Sequence, residues 1–216
     1  MRILITAGPT REYIDSVRYL SNASTGRMGF ALAEEAVRRG HAVELISGPV
    51  EMKVPSGVTL ARVITAAEML TEALKRFEGC DAAVMTAAVC DYRPVERTAR
   101  KLPKNQRSFS LLLEPTEDIC ARLGAIKGER IVIGFALEDH DEHAKAEAKL
   151  HSKNCDAIVL NRPGNIGVEA GEIQIYRPDH GWSLLHSGTK IQLAGNVLDM
   201  IQIIFEAKIV KNRTSV

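Results

Sequence analysis

Short apolar runs that alternate with helical patterns constrain the fold of this chain more than any other feature. The apolar runs are residues 1–7, 41–46, 82–89, 131–136 and 157–160, and the helical patterns between them cover residues 24–39, 66–77, 116–126 and 141–153. Apolar runs of this length are typical of strands buried on both faces. Strands that alternate with helices favour right-handed crossovers. The sequence therefore predicts an α/β fold: a three-layer, Rossmann-like, mostly parallel sheet with helices on both faces.

Weaker patterns complete the predicted fold. Residues 58–63 and 109–113 are further strand candidates. Residues 172–176 and 182–186 flank the turn sequence Pro-Asp-His-Gly at 178–181, which predicts an antiparallel C-terminal hairpin. Residues 190–210 predict a closing helix. We expect all 216 residues to form a single domain.

Composition and charge exclude several classes of protein. The net charge is +1, so no whole-molecule field favours a nucleic acid, and any positive site must be local. No apolar stretch approaches the roughly 20 residues that span a bilayer, and the N-terminal run is too short for a secretory signal. The four cysteines show no CxxC spacing, and His140 with His143 is a weak metal signal. We expect a cytoplasmic protein with free thiols, no membrane contact and no bound metal.

The first loop that follows a strand ends in SNASTGRMG, residues 21–29, at the start of a predicted helix. Ligands of open parallel sheets bind outside the carboxyl ends of the strands. Free N–H groups at a helix start favour an anion. Ser24 or Thr25 can cap this helix, while Gly26 and Gly29 permit close approach of a phosphate or of the first strand. The alternative is that these residues only cap and pack.

Two basic segments are further candidates for phosphate contact. Residues 91–107 hold six Lys or Arg and no apolar periodicity, which predicts an exposed, mobile loop. Asp91 at its start could bind a ribose or a magnesium-bound water, and the lysines could close over phosphates. Lys145, Lys149 and Lys153 lie on one face of a predicted helix. The alternatives are a solvated basic loop and ordinary surface charge.

The standard nucleotide fingerprints are missing. The chain has no GxGxxG, no GxxxxGK[ST] and no YxxxK pair, and its second strand ends Leu-Ile-Ser-Gly at 45–48 without an acidic residue for an NAD ribose. A nucleotide that binds here does not bind in the usual NAD manner.

Several motifs together resemble one enzyme family. GPTRE (8–12), RYLSNASTGRMG (18–29), TAAVCDYRP (86–94), GFALE (134–138) and the Lys149/Lys153 pair are similar to the synthetase half of bacterial phosphopantothenoylcysteine decarboxylase/synthetase. The resemblance runs in order over nearly the whole chain. It implies a ligase of coenzyme A biosynthesis that joins cysteine to 4′-phosphopantothenate. It further implies CTP or ATP as co-substrate, with CTP favoured, an acyl-nucleotide intermediate, Mg²⁺ and a homodimer.

The resemblance also implies roles for particular residues. Asn22 matches an asparagine that contacts the acyl intermediate, with its amide holding the carbonyl oxygen, and Arg18 matches an arginine near the phosphopantothenoyl part. Ser24 and Gly26 belong to the same substrate-binding block, and Lys101 matches a catalytic lysine on a mobile loop. The remaining positions match residues around the nucleotide: Gly8, Met85, Thr86, Ala87, Asp91, Thr116, Glu117, Asp118, Ile119, Phe135, Lys149 and Lys153.

Two departures from the family pattern put individual contacts in question. The family's K-x-K-K reads Lys-Leu-Pro-Lys at 101–104, and its N-D-V-S reads Asn-Arg-Pro-Gly at 161–164. The flavin-dependent decarboxylase half is not in this sequence, so we expect that activity in a separate chain or partner. The alternatives are a non-catalytic protein that binds a flavin or nicotinamide, and a degenerate homologue that acts as a scaffold.

Overall fold

The predicted parallel sheet is present, and the apolar runs form its central strands. The computed structural model describes residues 1–104 and 108–214. Its strands are β1 (Arg2–Ala7), β2 (Arg11–Tyr13), β3 (Tyr19–Ser21), β4 (Ala42–Ser47), β5 (Val58–Arg62), β6 (Ala82–Met85), β7 (Tyr92–Pro94), β8 (Leu113–Pro115), β9 (Ile131–Leu137), β10 (Ala157–Asn161), β11 (Ala170–Arg177), β12 (Gly181–Trp182) and β13 (His186–Thr189). Its helices are α1 (Arg27–Arg38), α2 (Ala66–Phe77), α3 (Ile119–Ala125), α4 (Glu142–Ser152), α5 (Lys190–Thr214) and a short 3₁₀ turn at Pro163–Asn165.

The order of the strands creates a switch point in the middle of the sheet. The order is β12-β11-β10-β9-β6-β1-β4-β5, and β1 pairs in parallel with both β4 and β6. The chain adds β4 and β5 on one side of β1 and then crosses to add β6, β9 and β10 on the other. Where strand order reverses in this way, the connections diverge and leave a crevice at the carboxyl ends. The crevice here lies between β1 and β6.

Successive strand residues point into different layers of core. Ile3 and Ile5 of β1 pack with Phe30 of α1 and Leu198 of α5 on one face of the sheet. Leu4, between them, packs on the other face in the core that α2, α3 and α4 supply. Because neighbouring side chains of a strand face opposite sides, a strand covered on both faces has to be apolar throughout. The predicted three-layer α/β fold is thus confirmed.

Several short strands were not predicted or were predicted elsewhere. β2 and β3 pair as a hairpin within a segment predicted as a loop. β7 and β8 pair with each other, so residues 92–94 are not the mobile loop that was predicted, and the strand predicted at 109–113 lies at Leu113–Pro115. The rest of the 91–107 prediction is partly outside the described residues, since 105–107 are not described.

The C-terminal hairpin is confirmed with a shorter second strand. β12 pairs antiparallel with the end of β11, and β13 pairs with its beginning. Residues 183–185, between β12 and β13, belong to no strand, so the predicted strand 182–186 is divided into two. α5 starts at Lys190 as predicted and is longer than predicted. Among the described residues, no helix is long and apolar enough to cross a membrane.

Candidate active site

A cleft of about 690 Å³ opens at the carboxyl ends of the central strands. It takes residues from the loops after β1, β6, β8, β9 and β10, the edge at which the strand-end rule places ligands. The predicted site residues that line it are Asn22, Ser24, Gly26, Met85, Thr86, Ala87, Asp91, Thr116, Glu117, Asp118, Ile119, Phe135, Lys149 and Lys153. Gly8, Arg18 and Lys101 are not among the lining residues.

The start of α1 presents backbone N–H groups to this cleft. Gly26 is the N-cap with φ 76°, and no side chain caps the helix. Ser24 Oγ accepts a hydrogen bond from Gly26 N (3.4 Å) rather than from the helix itself, so the predicted side-chain cap is not formed. An uncapped helix start retains N–H donors and a positive dipole end, which favour an anionic ligand.

Gly29 allows α1 to approach the first strand closely. A Cβ at Gly29 would lie 2.5 Å from Ala7 Cβ and 2.7 Å from Thr86 Oγ1. Contacts this short would force the helix away from the sheet. Gly29 therefore sets the position of the helix start relative to the floor of the cleft.

The Asn22 amide is fixed by two backbone carbonyls. Its Nδ2 donates to Ala88 O (3.2 Å) and Val89 O (2.9 Å), in the loop after β6. Both partners are acceptors, so the amide nitrogen must face them. This orientation leaves Oδ1 as the atom that Asn22 can offer to a ligand. This oxygen can accept a hydrogen bond from an amine N–H. It cannot donate to a carbonyl oxygen, which is the partner that the family resemblance implied.

Lys149, within α4, and Lys153, directly after it, supply positive charge to the cleft. Each lysine pairs with one carboxylate. Lys149 Nζ lies 2.5 Å from Glu138 Oε1, and Lys153 Nζ lies 3.0 Å from Asp118 Oδ2. Burial disfavours the charge on Lys153, but the hydrogen bond and attraction from Asp118 outweigh it and raise the pKa of Lys153. Lys153 therefore keeps its charge at neutral pH, and both lysines are placed where they can transfer to phosphate oxygens.

Asp118 connects this charge to α3. It is the N-cap of α3, where its Oδ1 accepts from Ala121 N at 2.9 Å. The same carboxylate faces Lys153 through its other oxygen. A single side chain thus fixes the helix start and orients the lysine.

Lys190 and Arg27 form a second group of cations that sequence reasoning missed. Lys190 lines the cleft, is only 9% exposed, and donates to Asn165 O at 3.2 Å. Its burial, with the like charge of Arg27, lowers its pKa. Arg27 pairs with the exposed Glu169. Both cations are the first residue of their helix, where the dipole disfavours positive charge, and this was a signal that could have indicated a ligand contact.

The floor of the cleft is built by threonines and one aromatic ring. Thr86 Oγ1 donates to Thr6 O, and Thr6 Oγ1 accepts from Ala87 N at 3.2 Å. Thr116 Oγ1 donates to Cys90 O at 2.6 Å, which fixes the segment carrying Asp91. Phe135, on β9, offers a partly exposed ring. These contacts hold the strand ends at a fixed spacing.

Arg18 and Lys101 lie outside the cleft, on two segments that are joined through Asp15 and Leu102. Asp15, fully buried, accepts from Val17 N and Arg18 N (2.8 Å each) and from Leu102 N (3.2 Å). These N–H bonds, that from Arg18 first, lower the pKa of Asp15. Arg18 also donates to Leu102 O. The segment with Lys101 is thus anchored at Leu102 rather than free along its length.

Gly8 supports the cleft from outside it, and the Asn161 segment contributes one lining residue. Gly8, with φ 74°, accepts from Ala88 N at 2.9 Å and so joins the loops after β1 and β6. Asn161 lines the cleft and accepts from Asn165 Nδ2 at 2.5 Å. Arg162, which stands where the family has Asp, pairs with Glu142 at 3.1 Å and faces α4.

The described residues provide no resident metal site. No group of three or more His, Cys, Asp or Glu side chains in residues 1–104 and 108–214 could hold a metal ion.

Comparisons with known proteins agree on one family. The family described as the DNA/pantothenate metabolism flavoprotein C-terminal domain matches residues 1–204. The chain is 39% identical over 204 residues to the coenzyme A biosynthesis bifunctional protein CoaBC of Bacillus subtilis, covering 92% of this chain and 50% of the relative. It is also 39% identical over 206 residues to a cysteine/cysteine sulfinic acid decarboxylase from an unknown prokaryotic organism, covering 93% of this chain and 57% of the relative.

A solved structure extends the match to the fold. The crystal structure of the C-terminal domain of a CoaBC protein is similar with a TM-score of 0.81 and 37% identity, covering 95% of this chain and 96% of that one. The chain thus spans about half the length of the curated relatives it matches, and nearly all of this separately solved domain.

Proposed function

The chain belongs to the family of the DNA/pantothenate metabolism flavoprotein C-terminal domain, and on that premise we propose that it joins cysteine to 4′-phosphopantothenate in coenzyme A biosynthesis. The observation that carries the proposal is the meeting of the 22–29 segment with Lys149 and Lys153 in one cleft. The similarity to CoaBC proteins and to a CoaBC C-terminal domain supports it. The family resemblance that the motifs predicted is confirmed.

The proposed reaction has two steps that leave little covalent work for the protein. The substrate carboxylate attacks the α-phosphate of a nucleoside triphosphate, which gives an acyl-nucleotide and pyrophosphate. The cysteine amine then attacks the acyl carbon, forms the amide and releases the nucleoside monophosphate. The substrates supply both nucleophiles, so the protein has to orient them, neutralise phosphate charge and exclude water.

The residues of the cleft divide these tasks. Lys149 and Lys153 exchange their carboxylate partners for phosphate oxygens and so reduce repulsion toward the attacking carboxylate. Asn22 Oδ1 accepts a hydrogen bond from the cysteine amine and aims its lone pair at the acyl carbon. Lys190 and the start of α1 hold a second anionic group of the substrates. Gly8, Arg18 and Lys101 contribute through the loops that they join or carry.

We propose CTP as the nucleotide, with ATP as the alternative, and Mg²⁺ as an ion carried on its phosphates. Support for CTP comes from the bacterial pattern of the motifs. Base selection depends on backbone groups and pocket shape around Phe135, so the two nucleotides have to be compared directly.

The competing functions differ in what they consume. A flavin- or nicotinamide-binding protein would bind its ligand without releasing pyrophosphate, and a scaffold would need a partner for any activity. The similarity to a cysteine/cysteine sulfinic acid decarboxylase raises a third outcome, release of CO₂ from cysteine. Residues 45–48 lack the acidic residue that would bind an NAD ribose, which counts against a nicotinamide-binding protein.

One assay separates these functions. The protein is incubated with 4′-phosphopantothenate, cysteine, Mg²⁺ and either CTP or ATP, and pyrophosphate is measured. We expect release that requires 4′-phosphopantothenate, Mg²⁺ and a nucleotide, that needs cysteine to continue beyond one turnover, and that is faster with CTP. No pyrophosphate with either nucleotide would refute the ligase, and CO₂ release from cysteine alone would favour the decarboxylase.

We further propose that the protein acts as a homodimer. Apolar side chains on and beside the β7–β8 ladder are exposed, namely Tyr92, Val95, Leu112 and Leu113. Exposed apolar patches of this kind favour protein contacts. Light scattering after size exclusion tests the dimer.

A further inference from the structure

Two thiols meet beneath the wall of the cleft. Cys120 is in the first turn of α3, and Cys155 lies between α4 and β10. Their Sγ atoms are 3.4 Å apart, and both residues are more than nine-tenths buried. A disulfide is about 2.05 Å long, so the pair is reduced but already in contact. Cys120 also lines the cleft, which gives a small oxidant a path to the pair.

The two thiols differ in acidity. The contact with Cys120, with the nearby charges of Lys153 and Lys127, lowers the pKa of Cys155. The same contact, together with burial, raises the pKa of Cys120. Thiolate character controls reactivity toward oxidants. Cys155 therefore has the features of the attacking sulfur, and Cys120 those of the resolving thiol.

The other cysteines lack this arrangement. Burial raises the pKa of Cys80 to about 11, and burial also raises the pKa of Cys90. The sulfurs of both donate to backbone carbonyls, Arg76 O for Cys80 and Thr10 O for Cys90. Neither contacts a second thiol in the part of the chain that the structure describes.

We propose that Cys120 and Cys155 are a redox modification site, which a hydroperoxide converts to a disulfide that weakens nucleotide binding in the cleft. The Cys155 thiol releases its proton, and the thiolate attacks one oxygen of hydrogen peroxide. The O–O bond breaks, a sulfenic acid forms, and the leaving hydroxide takes up the released proton and departs as water. The Cys120 thiol then attacks the Cys155 sulfur, the S–S bond forms, the S–O bond breaks and a second water leaves. The two sulfurs lose two electrons and the peroxide gains them.

The effect on the cleft follows from the neighbours of each sulfur. Asp118 is two residues before Cys120, Lys153 is two residues before Cys155, and these charged residues already pair at 3.0 Å. The backbones around them are also in contact, since Asn154 Nδ2 donates to Gly124 O at 2.8 Å and a Cβ at Gly124 would lie 1.9 Å from Lys153 O. A covalent bond across the same two segments holds Lys153 against Asp118. Lys153 is then less able to move to a phosphate.

The chemical part is tested on the reduced full chain. It is treated with hydrogen peroxide, and a non-reduced digest is mapped by mass spectrometry. We expect a Cys120–Cys155 cross-linked peptide, loss of two free thiols, reversal by dithiothreitol, and slower oxidation when nucleotide is bound. Cys80→Ala should still form the cross-link, whereas Cys120→Ala and Cys155→Ala should not. Peroxide treatment that yields no such cross-link overturns the proposal.

The functional part, which rests on the proposed function, is tested by titrating CTP and ATP into reduced and oxidised protein. We expect affinity to fall about tenfold on oxidation, the value of one charge-assisted hydrogen bond, and to return after reduction. Equal affinities would overturn the regulatory part. If the reduced protein binds neither nucleotide, the proposed function fails while the disulfide result stands on its own, so the two failures are distinguishable.

Discussion

Lys153 shows how one ammonium group can serve both packing and binding. Its pairing with Asp118 fixes the start of α3, and its place in the cleft makes it available to phosphate. We expect Lys153→Gln to weaken nucleotide binding about tenfold, because one charge-assisted contact is lost. Titration calorimetry measures this. Lys145→Gln is the matched control, since Lys145 lies on α4, which Lys153 directly follows, but faces His140 rather than the cleft.

Lys190 should show opposite effects on stability and on binding. Lys190 is only 9% exposed and its pKa is lowered, so the folded state disfavours its ammonium form. We expect Lys190→Met to keep or raise the melting temperature and to raise the KM of an anionic substrate about tenfold. A lower melting temperature with an unchanged KM would mean that Lys190 only supports the fold.

Asn22 offers a test of which atom meets the substrate. Asn22→Asp retains an oxygen acceptor but removes the N–H donors to Ala88 and Val89. We expect amide formation to slow by about 10²-fold, because a displaced acceptor no longer orients the amine and a misplacement of about 1 Å can have an effect of this size. The acyl-nucleotide should therefore accumulate. Quenched-flow analysis of both half-reactions measures it. Equal slowing of both steps would instead indicate a general loss of the cleft's shape.

At the scale of elements, the contact between α1 and β1 depends on a single missing methyl group. We expect Gly29→Ala to lower the free energy of unfolding by about 1–3 kcal/mol, the usual range for overpacking, because its Cβ would clash with Ala7 and Thr86. Urea unfolding measures the change. Gly79→Ala should have little effect, since the nearest atom to its Cβ is 4.0 Å away. Similar losses for both variants would contradict the close-approach argument.

The elements that the sequence predicted well are those stabilised by local pattern and full burial. α2 was predicted with its observed bounds, Ala66–Phe77, from the apolar face of Met69, Leu70 and Leu74, and the structure adds a capping box formed by Thr65 and Glu68. The β7–β8 ladder was missed because Tyr92-Arg93-Pro94 has no apolar alternation and forms a strand only by pairing with residues about 20 positions later. Tertiary pairing of that kind leaves no local signal.

The site was predictable to a similar extent. Strand-end loops and family motifs identified many of the residues that line the cleft, and some of these, such as Thr86 and Thr116, lie directly after a strand. The pairings of Lys149 with Glu138 and of Lys153 with Asp118 were not predictable, since they join separate loops and helices. The anchoring of Leu102 by Asp15 was also missed, because it depends on a long-range contact of an otherwise ordinary aspartate.

At the scale of the whole molecule, an ion-pair network joins the two helices that cover one face of the sheet. Glu35 of α1 accepts from Arg38 at 2.7 Å and Arg39 at 2.8 Å, and Arg39 in turn pairs with Asp199 of α5 at 2.6 Å. Hydrogen bonds from Arg38 and then Arg39, against the opposing effect of burial, lower the pKa of Glu35 to about 2 from its ordinary 4.5. The network therefore links acid stability to helix packing.

The sign of the pH effect follows from that lowered pKa. A carboxyl that is more acidic when folded stabilises the protein fully above pH 4.5, and this contribution is lost as the pH falls toward 2. We expect Glu35→Gln to cost about 1–2 kcal/mol at pH 7, a value reduced because Arg38 is largely exposed. Thermal unfolding from pH 7 to pH 2 measures it. Glu34→Gln, on the exposed side of the helix, should match the unmodified protein throughout.

The paired lysines of the cleft make nucleotide binding an ion exchange. When Lys149 and Lys153 transfer to phosphate oxygens, Glu138 and Asp118 lose their partners in a place where Glu138 is only 9% exposed. The freed Asp118 carboxylate is exposed enough to be solvated, whereas Glu138 is left largely buried, and a divalent cation nearby would offset its lost partner. Affinity should consequently be linked to Mg²⁺ concentration. A triphosphate that arrives with its own magnesium ion would restore charge balance at the moment it breaks the two pairs.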